Sequence, residues 1–145
     1  SFDDLRQEVF AMQLIRLVYS VWKQAGLPLW VKVYQIGATS ASTGFIEGIT
    51  DAISLDALKK GPKYTTLRGH FLRTYGDGTP EFAAAQTKFC DSLAGASILC
   101  YLLQIKDRHN GNILLDGEGH LIHIDFGFFL SSSPGGINFE SAPFK

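Results

Sequence analysis

The sequence predicts an α+β domain, and three stretches predict it. Residues 4–25 carry apolar side chains at helical spacing, residues 29–36 form an aromatic and β-branched run, and residues 81–106 form a long apolar helical pattern that leads into a short hairpin at 113–124. At 145 residues the chain is about one domain long, and 46% hydrophobic with 19% charged is a globular balance. A net charge of −1 argues against nucleic acid or any other polyanion held by bulk charge.

In chain order, Asp3 and Asp4 precede the first helical pattern, and Asp4 with Gln7 makes a capping-box-like pair. Phe10, Leu14, Leu17, Val18 and Val21 follow as its apolar face, and Gly26 with Pro28 should end it. The run 29–36 reads as a strand, 37–44 as a turn and 45–47 as a second short strand. Residues 51–60 read as a short helix stopped by Gly61-Pro62, and 64–75 as another with a mildly basic, solvated face. The loop 76–80 then opens the long helix 81–106, which is apolar almost all round from Leu93 and therefore predicted to be buried. Ala94, Gly95, Ala96 and Ser97 on it are small enough for a neighbouring backbone to approach closely. Cys90 and Cys100 lie ten residues apart on that helix, about 15 Å along its axis, too far for a disulfide. Both should be free thiols, which fits a reducing compartment. The most apolar run, 93–103, is shorter than the roughly twenty residues a bilayer demands, so no transmembrane segment is expected.

The chemistry concentrates in residues 107–127: D-R-H-N-G-N, then I-L-L-D-G-E-G-H-L-I, then H-I-D-F-G. Residues 113–115 read as one strand, 117–119 as the turn and 121–124 as the return strand, which brings Asn112 beside Asp125. A carbonyl-type oxygen and a carboxylate suit Mg²⁺, a cation that keeps water or substrate phosphate in its shell. Phosphoryl transfer is mostly positioning and charge neutralisation, and protein kinases hold their metals with an Asp and an Asn around a hairpin. Asp125-Phe126-Gly127 would supply the metal carboxylate, an apolar plug and a flexible residue. This constellation reads as the catalytic core of a kinase.

The loop order is Asp107-Arg108-His109 with Asn112 three positions on, not the His-Arg-Asp order of ordinary protein kinases. With H-I-D-F-G behind it, it resembles the phosphatidylinositol 3/4-kinase family, and the run from L-C-Y-L-L-Q-I-K into D-R-H-N-G-N-I-L-L-D resembles its type III beta 4-kinases. The resemblance implies a two-lobed protein-kinase-like fold, with residues 1–49 as N-lobe and hinge and 50–145 as the first part of the C-lobe. It implies ATP with Mg²⁺, or alternatively Mn²⁺, as cofactors. D-D-L-R-Q-E is similar to a family segment on the N-lobe helix, which makes Glu8 the acid near the catalytic lysine. Tyr34 matches a tyrosine of the adenine pocket, and Ile46, Glu47, Gly48 and Ile49 match the hinge whose backbone pairs with adenine. In the family, that lysine and the phosphate-covering loop lie upstream of the D-D-L-R-Q segment, so the chain is expected to be part of a catalytic domain and inactive alone.

His109 is the candidate general base for the substrate hydroxyl, because an unperturbed imidazole titrates near pH 6.5. Asp107 would orient His109 or the hydroxyl, or serve as the base itself, and Arg108 would brace the loop. Asn112 and Asp125 would hold metal, with Asp125 also facing the nucleotide. Beyond Gly127, the segment containing Phe128, Ser131, Ser132 and Ser133 has no basic residue before Lys145. A multiply phosphorylated lipid would call for Lys and Arg there. The expected substrate is phosphatidylinositol itself at a membrane surface, phosphorylated at the inositol 4-hydroxyl. The alternatives are a phosphoinositide 3-kinase, a related protein kinase, or a non-catalytic interaction module. The resemblance implies a cytoplasmic protein peripherally bound to intracellular membranes of Golgi type.

Overall fold

The computed structural model describes residues 5–40 and 43–130. Helices and two small antiparallel sheets alternate, as an α+β reading requires. Helix α1 spans Leu5–Gln24, strands β1 and β2 span Ile36–Ala38 and Gly44–Ile46, and β3 spans Ala52–Ser54. Helices α2 (Leu55–Lys60), α3 (Leu67–Tyr75) and α4 (Pro80–Leu102) follow, then β4 (Ile113–Asp116) and β5 (Leu121–His123). The capping pair involving Asp4 lies outside the described residues.

Helix α1 ends where Gly26 adopts a left-handed φ of 68°. The Gly26 N–H donates to the Lys23 carbonyl and the Leu27 N–H to the Trp22 carbonyl, a closing pattern that glycine accepts without strain. Its buried face is Ala11, Met12, Ile15 and Trp22, with Leu14 and Val18 packed at its margin. The expected face was offset from this one: Phe10, Leu17 and Val21 are 49%, 61% and 54% exposed. Two adjoining stripes of α1 are apolar, and periodicity cannot say which one the core takes.

The strand expected over 29–36 is a second correction. Among the described residues Ile36–Ala38 pairs with Gly44–Ile46, and residues 29–35 join no ladder. Aromatic and β-branched residues favour a pleated surface only where a partner strand exists; here the segment lies on helices instead. Val31 and Tyr34 are buried against the core, and the Trp30 N–H donates to the Asp91 carbonyl of α4. Residues 51–60 divide differently from the expected single helix, because Ala52–Ser54 pairs with Asp116–Leu114 and extends the hairpin into a sheet of order β3-β4-β5. The expected hairpin itself is present, with Ile113 opposite His123 and Leu115 opposite Leu121.

Thr79 caps α4 by accepting from the Phe82 N–H, with Pro80 in the first turn, where its missing N–H costs nothing. The helix stops at Leu102, short of the expected Lys106. It is also buried on one stripe only, at Ala85, Ser92, Gly95, Ala96 and Leu99, while Leu93, Ile98, Tyr101 and Leu102 are exposed. Both cysteines are free thiols; Cys100 is half-buried, but Cys90 is exposed and not packed as an apolar group. No helix among the described residues is long and apolar enough to cross a membrane.

The small residues of α4 do admit a neighbouring backbone. A Cβ on Gly95 would sit 2.6 Å from the Trp30 carbonyl oxygen and 3.2 Å from Val31. Replacing glycine by alanine within a helix gains about 1 kcal/mol in propensity, but forcing a core apart costs about 1–3 kcal/mol. Here the obstacle is backbone, so packing wins. Gly95→Ala should therefore lower unfolding stability by about 1–2 kcal/mol in denaturant titration of the protein carrying this chain. Gly117→Ala, where a Cβ meets nothing within 4 Å, is the matched control and should be near neutral.

Candidate functional site

The loop after α4 is built by hydrogen bonds to its own backbone. The His109 N–H donates to the Asp107 carbonyl and the Asn112 N–H to the His109 carbonyl, at 3.1 and 2.9 Å. The Asn112 side-chain Nδ2 donates to the Asp107 carbonyl at 3.0 Å, so a residue only 7% exposed has its amide orientation fixed. The hairpin ladder continues past its strands, with the Ile124 N–H donating to the Asn112 carbonyl at 3.0 Å. Asn112 thus stands opposite Ile124, and Asp125 is the next residue along. This is the proximity that the hairpin reading predicts.

Arg108 joins the loop to the Asp125-Phe126-Gly127 turn. Its Nε donates to the Lys106 carbonyl at 2.9 Å, Nη1 to the Ile124 carbonyl at 2.7 Å and Nη2 to the Asp125 carbonyl. The guanidinium also lies 5.6 Å from the centre of the Phe126 ring, and burial draws its pKa down from the ordinary arginine value. Grouped on sequence with Asp107 and His109, it spends these bonds on backbone carbonyls and braces the loop against the turn. Asp107 and Asp125, on either side of it, both have φ of 61°. Left-handed backbone costs a non-glycine residue roughly 1–2 kcal/mol, least for Asp and Asn, and the Arg108 bonds hold the chain in that shape.

The His109 side chain is 59% exposed, and its Nε2 lies 3.9 Å from Asp107 Oδ2, beyond hydrogen-bond reach. Its Nδ1 accepts from the Gly111 N–H at 3.0 Å. A neutral ring in this pose therefore carries its proton on Nε2. Lys106 ties the start of the loop to the far segment, its Nζ donating to the Leu130 carbonyl and its N–H to the Phe128 carbonyl. Phe128 is half-buried, whereas Ser131, Ser132, Ser133 and Lys145 lie outside the described residues.

Above Asp125 opens a cleft of about 500 Å³, lined by Leu5, Glu8, Tyr34, Ile46, Glu47, Ile49, Leu114, Ile124 and Asp125. Six of the positions singled out on sequence (Glu8, Tyr34, Ile46, Glu47, Ile49 and Asp125) meet there, and Gly48 lies between two of them. Cofactor and ligand sites commonly enclose about 300–1,000 Å³. Tyr34 is 1% exposed and its hydroxyl donates to Glu8 Oε1 at 3.2 Å, so it is not a strand residue with its hydroxyl at the surface. Burial first, and the Glu8 carboxylate second, push its pKa up, and the phenol stays protonated. The Glu47 N–H pairs with the Gln35 carbonyl at 2.8 Å, and its carboxylate accepts from the Gln35 N–H at 2.7 Å. Those bonds fix the edge of the cleft at the end of the β1–β2 hairpin.

Leu5, Leu114 and Ile124 were missed as lining residues, and for the last two the strand pattern carried a signal. Residues two apart on a strand share a face, so Leu114 shares the face of Asn112, and Ile124 stands opposite Asn112. Beneath the turn, His123 Nδ1 lies 3.7 Å from Cys100 Sγ. Burial, then the Arg108 charge, pushes the His123 pKa down to about 4, so it adds no second cation beside Arg108 at neutral pH. Among the described residues no three His, Cys, Asp or Glu side chains gather as a metal cluster. The candidate pair is one amide oxygen and one carboxylate.

A family profile described as phosphatidylinositol 3- and 4-kinase matches residues 2–145. Phosphatidylinositol 4-kinase beta 1 of Arabidopsis thaliana is 56% identical over 146 residues, covering 100% of this chain and 13% of the relative. Phosphatidylinositol 4-kinase of Dictyostelium discoideum is 56% identical over 145 residues, covering 99% of this chain and 12% of the relative. Phosphatidylinositol 4-kinase beta of Sorex araneus is 51% identical over 144 residues, with coverages of 99% and 18%. The chain therefore spans a minor part of the length of the relatives it matches. With the Asp107–Asn112 loop, the Asp125 turn and the cleft above them in one frame, the chain belongs to the phosphatidylinositol 3- and 4-kinase family.

Proposed function

We propose that the protein carrying this chain is a phosphatidylinositol 4-kinase, transferring the γ-phosphate of ATP to the inositol 4-hydroxyl of phosphatidylinositol. The observation that carries this reading is the convergence of Glu8, Tyr34, the 46–49 segment and Asp125 on one cleft whose floor adjoins the Asp107–Asn112 loop. The printed names of relatives 51–56% identical to this chain support the 4-kinase class. In this reading residues 1–49 contribute to an N-lobe and hinge, and 50–145 to a C-lobe. Adenine lies against the 46–49 backbone and Tyr34. The lipid is met at a membrane surface by a peripherally bound protein, through the segment that runs from Phe128 to Lys145.

Asn112 and Asp125 are the residues that would hold Mg²⁺, with Mn²⁺ as an alternative. The donor chemistry fits: Asn112 Nδ2 is committed to the Asp107 carbonyl, which turns Oδ1 away from it, and Asp125 adds a carboxylate. Two protein oxygens suit a cation that fills its shell with water and phosphate. When bound, the ion supplies charge neutralisation for the transferring phosphoryl group.

His109 accepts the proton of the attacking hydroxyl. Its Nδ1 is engaged by Gly111, so acceptance requires the exposed ring to turn and release that bond, at about 1 kcal/mol. Asp107 stands close enough to orient the turned ring.

Three measurements test these assignments on the full protein. Labelled ATP and phosphatidylinositol vesicles should yield label at the 4-position; label at the 3-position or on peptide alone selects the other kinase readings, and unlabelled lipid from folded protein selects a binding module. Asp125→Asn should reduce turnover to background with the fold retained by circular dichroism; undiminished turnover would remove the metal assignment. His109→Ala should lower kcat by about 10²–10⁴-fold while ATP affinity stays within about twofold. Equal losses in both would make His109 a positioning residue, and a larger kcat loss in Asp107→Asn would move the base to Asp107.

A further inference from the structure

Ser92 is a polar residue on the buried stripe of α4, and it is fully buried at 0% exposure. Nothing in the phosphoryl-transfer scheme uses it. Its Oγ donates back to its own helix, to the Lys88 carbonyl at 2.7 Å and the Phe89 carbonyl at 3.0 Å. The same oxygen accepts from the Leu121 N–H at 2.8 Å, across 29 positions of sequence. Leu121 is the first residue of β5, which among the described residues is an edge strand paired with β4 alone. An edge strand leaves outward N–H groups without a ladder partner, and a buried one needs a substitute acceptor. Ser92 supplies that acceptor.

From Leu121 the chain runs directly through Ile122 and His123 to Ile124 and Asp125. At the far end of this segment Arg108 holds the Ile124 and Asp125 carbonyls. At the near end Ser92 holds the Leu121 N–H. The hairpin tip is seated on the same helix by further contacts: Lys88 pairs with Glu118, and a Cβ on Gly119 would lie 2.8 Å from the Ala85 carbonyl. Those contacts lie at the turn, and the Lys88–Glu118 pair is solvent-exposed, where ion pairs contribute little. The buried Ser92 bond is made to the strand itself, and it is shorter than the other α4 contact with β5, Cys100 Sγ to His123 Nδ1 at 3.7 Å.

We infer that Ser92 is a positioning residue for phosphoryl transfer: its hydroxyl sets where β5 lies on α4 and so sets the position of Asp125. This rests on the kinase reading above for its catalytic consequence, and on geometry alone for the tether. A reacting group displaced by about 1 Å can cost on the order of 10²-fold in rate. Ser97 provides an internal control, since its Oγ donates to the Leu93 carbonyl at 2.7 Å on the exposed side of the same helix.

The test compares Ser92→Ala, Ser92→Cys and Ser97→Ala in the full protein by lipid phosphorylation, ATP-analogue titration and hydrogen exchange of residues 121–125. Ser92→Ala should lower kcat per nucleotide-binding site by about tenfold or more, leave ATP affinity within about twofold, and speed exchange across 121–125. Ser92→Cys keeps a weak acceptor of similar shape; it should show an intermediate loss and serves where the alanine variant fails to fold. Ser97→Ala should match wild type in all three readouts. Lower thermal stability with unchanged kcat per site in both Ser92 variants would overturn the proposal and leave Ser92 a packing residue. Unchanged exchange at 121–125 would overturn the tether. A wild-type protein without lipid kinase activity would refute the functional reading instead, and the exchange measurement would still decide the tether.

Discussion

The site depends on one half-buried cation. Arg108 reaches three backbone carbonyls, those of Lys106, Ile124 and Asp125, and so connects the end of the α4 segment, the loop it carries and the turn after β5. A guanidinium removed from water is costly unless its donors are matched, and carbonyl dipoles match it without adding charge. The planar fork makes several such bonds at once; the compact ammonium of lysine could not reproduce them. The two residues forced into left-handed backbone near it, Asp107 and Asp125, are of the type that tolerates this conformation best. His123 fits the same constraint. Kept neutral by its burial, it packs beside Cys100 without opposing the arginine.

The cleft above this floor has walls from parts of the chain far apart in sequence, and Tyr34 joins them. Its hydroxyl holds Glu8 of α1, and its ring lies 6.4 Å from the Phe126 ring at 23°, near parallel. Phe126 in turn carries Arg108 over its face. A carboxylate from the first helix and a carboxylate from the Asp125 turn therefore border one space, although no strand of the β1–β2 sheet pairs with the β3-β4-β5 sheet. Side-chain packing and a hydroxyl, not a continuous ladder, set the depth of the cleft.

How legible this was follows from which interactions are local. The hairpin was legible because strand periodicity, turn glycines and a short loop all lie within a few residues. The meeting of Asn112 with Asp125 followed from it. Gly26 could be read as a helix stop for the same reason. Residues 29–35 were not legible: L-W-V-K-V-Y-Q has strand composition, and only the absence of a facing strand and the presence of α4 decide that it makes no ladder. Phe10 and Ile15 are equally apolar, and the choice of which α1 stripe is buried is tertiary. Glu8, Tyr34 and the 46–49 segment were assigned through family resemblance; no local rule would have selected Tyr34 over its neighbours. Ser92 was missed, since a hydroxyl in a helix normally bonds back to its own carbonyls and its second role depends on a strand 29 residues away.

Helix α4 reconciles these separate pieces because one stripe of it seats the segments that lead to both walls of the cleft. Ala85, Ser92, Gly95, Ala96 and Leu99 recur at helical spacing and are its buried residues. The N-terminal half of the stripe receives the hairpin, through Gly119 against Ala85 and Leu121 on Ser92. The C-terminal half receives the segment before Tyr34, with the Trp30 carbonyl against Gly95. Trp30 also stacks on His120 at 4.0 Å between ring centres, which joins the two seated segments directly. Asp125 lies four residues beyond Leu121, and Tyr34 lies four beyond Trp30. The spacing of small and hydroxyl side chains along one helix therefore sets the distance between the two sides of the cleft. That is a physical reason for the positions of the stripe that meet these backbones to be Ala85, Ser92 and Gly95 rather than larger apolar residues, which would bury more area but hold both backbones too far away.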